Sequence, residues 1–150
     1  MSADKSNQIS RTSISILISD LDYKTVVGGI DDLMFKRTPF LEMMLPKYVN
    51  RLNKEQKFDY KKLKRRAMHR RSEPGHSIKA LNLDTKLVDL INEVCKKKNC
   101  PRDLFFEAVF EAIDDVLATL GAVMESDVFD DSALAPSAQD FSKHLHKFNE

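Results

Sequence analysis

The sequence predicts a mostly α-helical fold with one short two-stranded antiparallel ribbon, arranged as two tandem strand–helix–helix units joined by a basic linker helix. Three observations carry this expectation. A short alternating strand, an amphipathic helix and a further helix occur in that order twice. Neither copy is large enough to bury its own apolar faces, so pairing the strands and interlocking the helices is what gives both a core. A polar, strongly basic stretch separates the copies.

Taken in chain order, residues 1–12 are polar and expected to be disordered, and the first unit spans 13–53. Its strand, Ser13 to Ser19, alternates serine with isoleucine at period two, with Leu17 on the serine side. Asp20 or Asp22 is expected to cap the following helix, whose Val26, Val27, Ile30, Leu33 and Met34 recur at helical spacing. Gly28-Gly29 inside it marks either close packing or a break. Thr38-Pro39 reads as a cap and first helical residue, and Leu41, Met44, Leu45, Tyr48, Val49 and Leu52 line one face beyond them. Pro46 is expected to kink or split that helix.

Residues 54–75 read as the basic linker helix, stopped at Ser72-Glu73-Pro74-Gly75. The second unit spans 76–122. Its strand runs from Ser77 to Leu83. Asp84 caps a helix with Leu87, Leu90, Ile91, Val94 and Cys95 on one stripe, closed by Lys96 to Lys98 where the helix dipole favours cations. Pro101 opens a helix whose apolar band, Leu104 to Leu120, is wide enough to be buried on more than one side. Residues 123–150 are acidic and read as a flexible tail, with Phe129, Phe141 and Phe148 available to a protein partner. The helix faces of the two copies match best 61 residues apart and the prolines Pro39 and Pro101 are 62 apart.

The formal net charge of +1 favours no partner class, but its distribution does. Residues 51–100 hold 15 basic and 6 acidic side chains, whereas residues 101–150 hold 3 and 11. The start of the chain lacks a signal-peptide core and no apolar run approaches membrane-spanning length, so a cytoplasmic location and no membrane partner are expected. Cys95 and Cys100 then read as reduced thiols. The histidines and cysteines show no zinc-site spacing, and neither metal nor cofactor is expected. No phosphate loop, nucleophile–base set or usable acid pair is present, so an enzyme is not expected.

The segment from Ser77 to about Leu117 resembles the ribbon-helix-helix (Arc/MetJ-type) DNA-binding superfamily, and the two halves together resemble the tandem accessory proteins of conjugative-plasmid relaxosomes. The resemblance implies a ribbon inserted in the major groove of double-stranded DNA, with phosphates anchored at helix N-termini. It implies base contacts from Arg11, Ser13, Ser15, Ser19 and Asn82, with Lys79 presented only if the second strand takes the opposite register to the family's. It implies phosphate anchors at Thr38, Cys100 and Arg102. The basic residues Lys61, Lys62, Arg65, Arg66, Arg70 and Arg71 read either as a solvated face or as a sequence-independent phosphate grip. The expected function is a DNA-binding regulator, either a transcriptional repressor or a plasmid transfer or partition factor, with a homodimer possible. The alternatives are an antitoxin whose C-terminal tail holds a toxin, and a helical interaction module without nucleic acid.

Overall fold

The computed structural model describes residues 10–125 and 137–150. It is mostly helical around a two-stranded antiparallel sheet. The order is β1 (Arg11–Ser19), α1 (Asp20–Asp32), α2 (Arg37–Lys54), α3 (Tyr60–Ser72), β2 (His76–Asp84), α4 (Thr85–Lys98), α5 (Arg102–Glu125) and α6 (Ser137–His146), closed by a 3-10 turn over Lys147–Asn149.

The two strands pair with each other, from Arg11 opposite Asp84 to Ser19 opposite His76. Alternation decides which side faces the core: Ile14, Ile16 and Ile18 of β1 and Leu81 and Leu83 of β2 are buried. Arg11 and Thr12 are strand residues rather than part of a disordered leader, because Asp84 and Leu83 pair with them, and the Ser10 carbonyl accepts from Thr85 N–H; residues 1–9 of the expected leader lie outside the described residues.

A single step of 65 residues relates the two units. The strands are nine residues each and start at Arg11 and His76, the helix caps are Ser19 and Asp84, and the second helices start at Arg37 and Arg102. The backbone joins repeat at the same step: Asp20 N–H donates to the Gly75 carbonyl at 2.7 Å, and Thr85 N–H donates to that of Ser10 at 2.9 Å. This corrects the steps of 61 and 62. A shift of four residues is about one helical turn, so an amphipathic stripe matches almost as well when misaligned by it. The prolines are not equivalent, since Pro39 is the third residue of α2 and Pro101 precedes α5.

The local corrections have physical causes. Ser19, not Asp20 or Asp22, caps α1, its Oγ accepting from Asp22 N–H at 3.3 Å. Asp20 and Asp22 then sit in the first turn, where the helix dipole favours them. Lys36, not Thr38, precedes α2, without a side-chain cap. Pro39 is tolerated because first-turn N–H groups have no intrahelical partner anyway. Pro46 does not divide α2: the buried stripe Met44, Leu45, Tyr48, Val49 and Leu52 spans it, and packing outweighs the lost hydrogen bond. Helix α1 also runs unbroken through Gly28-Gly29, and a Cβ on Gly29 would stand 3.0 Å from Leu117 Cδ1 of α5. Glycine there permits a close helix crossing. Asn99 ends α4 in the left-handed region at φ 60°, which asparagine tolerates.

Packing interlocks the units. Helix α5 packs on α1 and β1, and α2 packs on α4 and β2, so each second helix serves chiefly the other unit. The centre is α5, where Leu104, Phe105, Phe106, Val109, Phe110 and Ile113 are fully buried. The expected flexible tail is corrected over 137–150. Helix α6 packs on α5 and α2, and Phe141, Leu145 and Phe148 are fully buried. Burial of side chains of this kind is worth about 1.5–3 kcal/mol each, enough to dock a short amphipathic helix. Phe129 lies outside the described residues.

Candidate nucleic-acid interface

The side of the ribbon away from the helices presents, in facing pairs, Ser13 with Asn82, Ser15 with Ala80, and Leu17 with Ile78. Ser13, Ser15, Ala80 and Asn82 are exposed and Ile78 is 69% exposed, so this face is open to solvent. It is polar at the Ser13–Asn82 end and apolar at the Leu17–Ile78 end. Arg11 continues the polar end, although its guanidinium is already engaged by Glu42 at 3.1 Å and by the Asn82 carbonyl at 3.1 Å.

Two of the candidate base readers are placed otherwise. Lys79 faces Ile16 across the ribbon, on the helix side, with its ammonium 3.0 Å from Asp20 and 5.2 Å from the centre of the Tyr23 ring. Burial of Leu81 and Leu83 fixes this register and removes the opposite one that would have presented Lys79. Ser19 has the outward parity, but its hydroxyl serves the α1 cap.

The edges of the ribbon are held by the second helices. Asp103 of α5 accepts from Leu17 N–H at 3.0 Å, and Arg102 donates to the Ser15 carbonyl at 3.2 Å and to Asn92 Oδ1 at 3.1 Å. Glu42 of α2 accepts from Asp84 N–H at 2.8 Å. Both edge strands are therefore blunted by polar groups from helix starts.

The basic helix α3 divides into sides. On one, Arg70 donates to Glu107 and Glu73, Lys62 to the Asn149 carbonyl and Arg66 to that of Glu150. The chain's own acidic helix and C-terminus thus occupy three of the residues expected to grip phosphate. Arg70 is held above its ordinary value by the Glu107 hydrogen bond. Lys61, Arg65 and Arg71 are exposed. On the other side, Tyr60, Lys64, Met68 and Arg71 line an open groove of about 940 Å³. The opposite wall carries Lys96 from the end of α4 and Arg102 from the start of α5, with Ser15 of the ribbon at its rim.

The remaining anchors are less free than expected. Cys100 N–H donates to the Cys95 carbonyl at 2.9 Å, so that amide is spent inside the turn, and its thiol is buried, which pushes it well up in pKa. Thr38 lies in the first turn of α2, partly exposed. The sequence reading missed Lys64 and Lys96 as groove residues. The spacing of Tyr60, Lys64, Met68 and Arg71 puts them on one helical stripe and is the signal that finds the first wall; Lys96 comes from the end of α4, whose position opposite α3 only the tertiary fold sets.

No family model matches the chain, and no curated protein or solved structure is similar to it. Among the described residues no helix is long and apolar enough to cross a membrane, and no group of His, Cys, Asp and Glu side chains is arranged to hold a metal ion.

Proposed function

We propose that this chain is a sequence-specific double-stranded DNA-binding regulator, a repressor or a plasmid transfer or partition factor, which places its β1–β2 ribbon in the major groove. The observation that carries the reading is the ribbon itself: two antiparallel strands, cored on one side and open on the other, with Ser13, Ser15 and Asn82 exposed on the open side. A two-stranded ribbon fits the major groove, where asparagine pairs with adenine edges and serine with several bases. Ala80, Ile78 and Leu17 suit thymine methyl groups. The interlocked tandem units and the cationic groove beside the ribbon support the same reading, as does the likeness of the strand–helix–helix pattern to ribbon-helix-helix proteins. On this reading the chain acts in the cytoplasm by binding, without cofactor or catalysis.

A gel-shift titration of the purified chain on duplex fragments from its own gene neighbourhood, across a salt series, tests this. A discrete complex on one fragment that survives roughly 150 mM salt against competitor DNA supports site-specific recognition. Retention of no duplex at any salt overturns it. The antitoxin alternative has lost part of its basis, because residues 140–150 of the tail are packed against the chain's own core rather than offered to a toxin.

A further inference from the structure

The two halves of the molecule carry opposite charge at equivalent positions. Lys96 and Lys97, at the end of α4, correspond at the 65-residue step to Asp31 and Asp32 at the end of α1. Arg102, at the start of α5, corresponds to Arg37 at the start of α2. Arg37 is closed by a two-pronged ion pair with Asp31, at 3.0 and 2.6 Å. Arg102 is held by neutral oxygens of Asn92 and Ser15 instead and keeps its charge uncompensated. The basic helix α3 adds Lys64 and Arg71 beside Arg102, and its counterpart in chain order, α6, packs away from the ribbon on α2 and α5. Among the described residues none of Lys64, Arg71, Lys96 and Arg102 takes part in an ion pair. Four such cations around one groove outnumber its single lining carboxylate, Asp103, which accepts from Leu17 N–H, and together they attract a polyanion.

The reading side is unequal too. At the same step Ser13, Ser15 and Leu17 of β1 correspond to Ile78, Ala80 and Asn82 of β2. A two-chain ribbon would repeat each side chain across its dyad and so favour a palindrome. This one does not.

Resting on the DNA-binding reading, we infer that the groove between α3 and the start of α5 is a phosphate-binding site, and that it grips the DNA backbone on one flank of the ribbon only. The recognised sequence is then non-palindromic, and the protein sits on it in a single orientation. The half of the chain bearing Asp31 and Asp32 contributes base contacts without a matching backbone grip.

The test uses the full chain and a duplex it selects from a random-sequence pool. Phosphate ethylation interference should map to one flank of the contacted bases. The Lys64→Ala/Lys96→Ala variant should lose those signals and flatten the plot of log affinity against log salt by about 2, one unit per lost phosphate contact. The Lys24→Ala/Lys36→Ala variant, which removes exposed cations of the first unit, should leave that slope nearly unchanged. All four lysines lie at the surface, and matching melting curves confirm that the variants fold. Interference equal on both flanks, or equal flattening by the two variants, overturns the one-sided grip while leaving DNA binding standing. Selection of no duplex at all overturns both.

Discussion

Arg70 donates through Nε and Nη2 to the two carboxylate oxygens of Glu107, at 2.8 and 3.3 Å, and so ties the basic helix α3 to the buried helix α5. Glu107 is 7% exposed, and Lys147 completes its shell at 2.9 Å. Burial by itself raises the Glu107 carboxyl, but the hydrogen bonds from Arg70 and Lys147 outweigh it and hold the group below its ordinary value of 4.5. Its contribution to stability is therefore complete above that value and is lost as pH falls through the folded-state value. Arg70→Ala should cost about 2–3 kcal/mol in urea unfolding at pH 7, with the gap from the unsubstituted chain closing in acid below about pH 4.5.

Asp22 has the opposite sign. Burial raises it above its ordinary 3.8, and the nearby Glu111, Glu107 and Asp114 raise it further, with only Lys147 opposing. Ionising it thus disfavours the folded chain as pH rises through 3.8 and beyond. Asp22→Asn should melt higher than the parent at pH 7, with the advantage vanishing below about pH 3.8. A melting series from pH 3 to 7 reads this directly.

Adjacent glycines in α1 should answer alanine differently. A Cβ at position 28 meets nothing within 4 Å, so Gly28→Ala should stabilise by about 0.5–1 kcal/mol through helix propensity. At position 29 the added methyl stands 3.0 Å from Leu117 Cδ1, and the crossing of α1 over α5 must open slightly. Gly29→Ala should fall about 1 kcal/mol below Gly28→Ala in the same chemical denaturation experiment.

Helix α6 is a structural member rather than a tail. Phe141 is fully buried, 5.0 Å from the Tyr48 ring and 5.6 Å from that of Phe105. Phe141→Ala should destabilise by about 3–5 kcal/mol and speed proteolysis within 137–150. Cleavage there at the parental rate, with unaltered stability, would show that α6 is not seated on the core.

Asn82→Ala removes an exposed side chain from the open face and leaves its backbone carbonyl to Arg11. Stability should change by less than about 0.5 kcal/mol. Affinity for the preferred duplex should fall by about 1–3 kcal/mol while affinity for random duplex holds, as competitive gel shifts would record.

Much of the first strand was legible in the chain because period two is unambiguous when isoleucines alternate with serines. The sequence of the second strand admits two registers, and burial of Leu81 and Leu83 decides between them only in the folded chain. The unit spacing was harder to read: helical stripes tolerate a slip of one turn, and proline fits more than one position of a first turn. The tail was misjudged on its charge. Phe141, Leu145 and Phe148 are spaced four and three apart, a short amphipathic stripe that composition hid. The state of the basic block was beyond sequence reasoning, because the partners of Arg70, Lys62 and Arg66 are 37, 87 and 84 residues away. A run of cations does not disclose which of them the fold has already engaged, nor that of these three only Arg70 meets a side-chain carboxylate.

Pairing Arg11 with Asp84 inside one polypeptide makes ribbon formation a first-order event. Dilution that would separate a two-chain ribbon leaves this one closed, so its recognition surface survives at arbitrarily low abundance. The toll falls on kinetics. Strand partners lie 57 to 73 positions apart with three helices between them, and closing so long a loop slows folding relative to a local hairpin. The arrangement exchanges speed of maturation for independence from copy number.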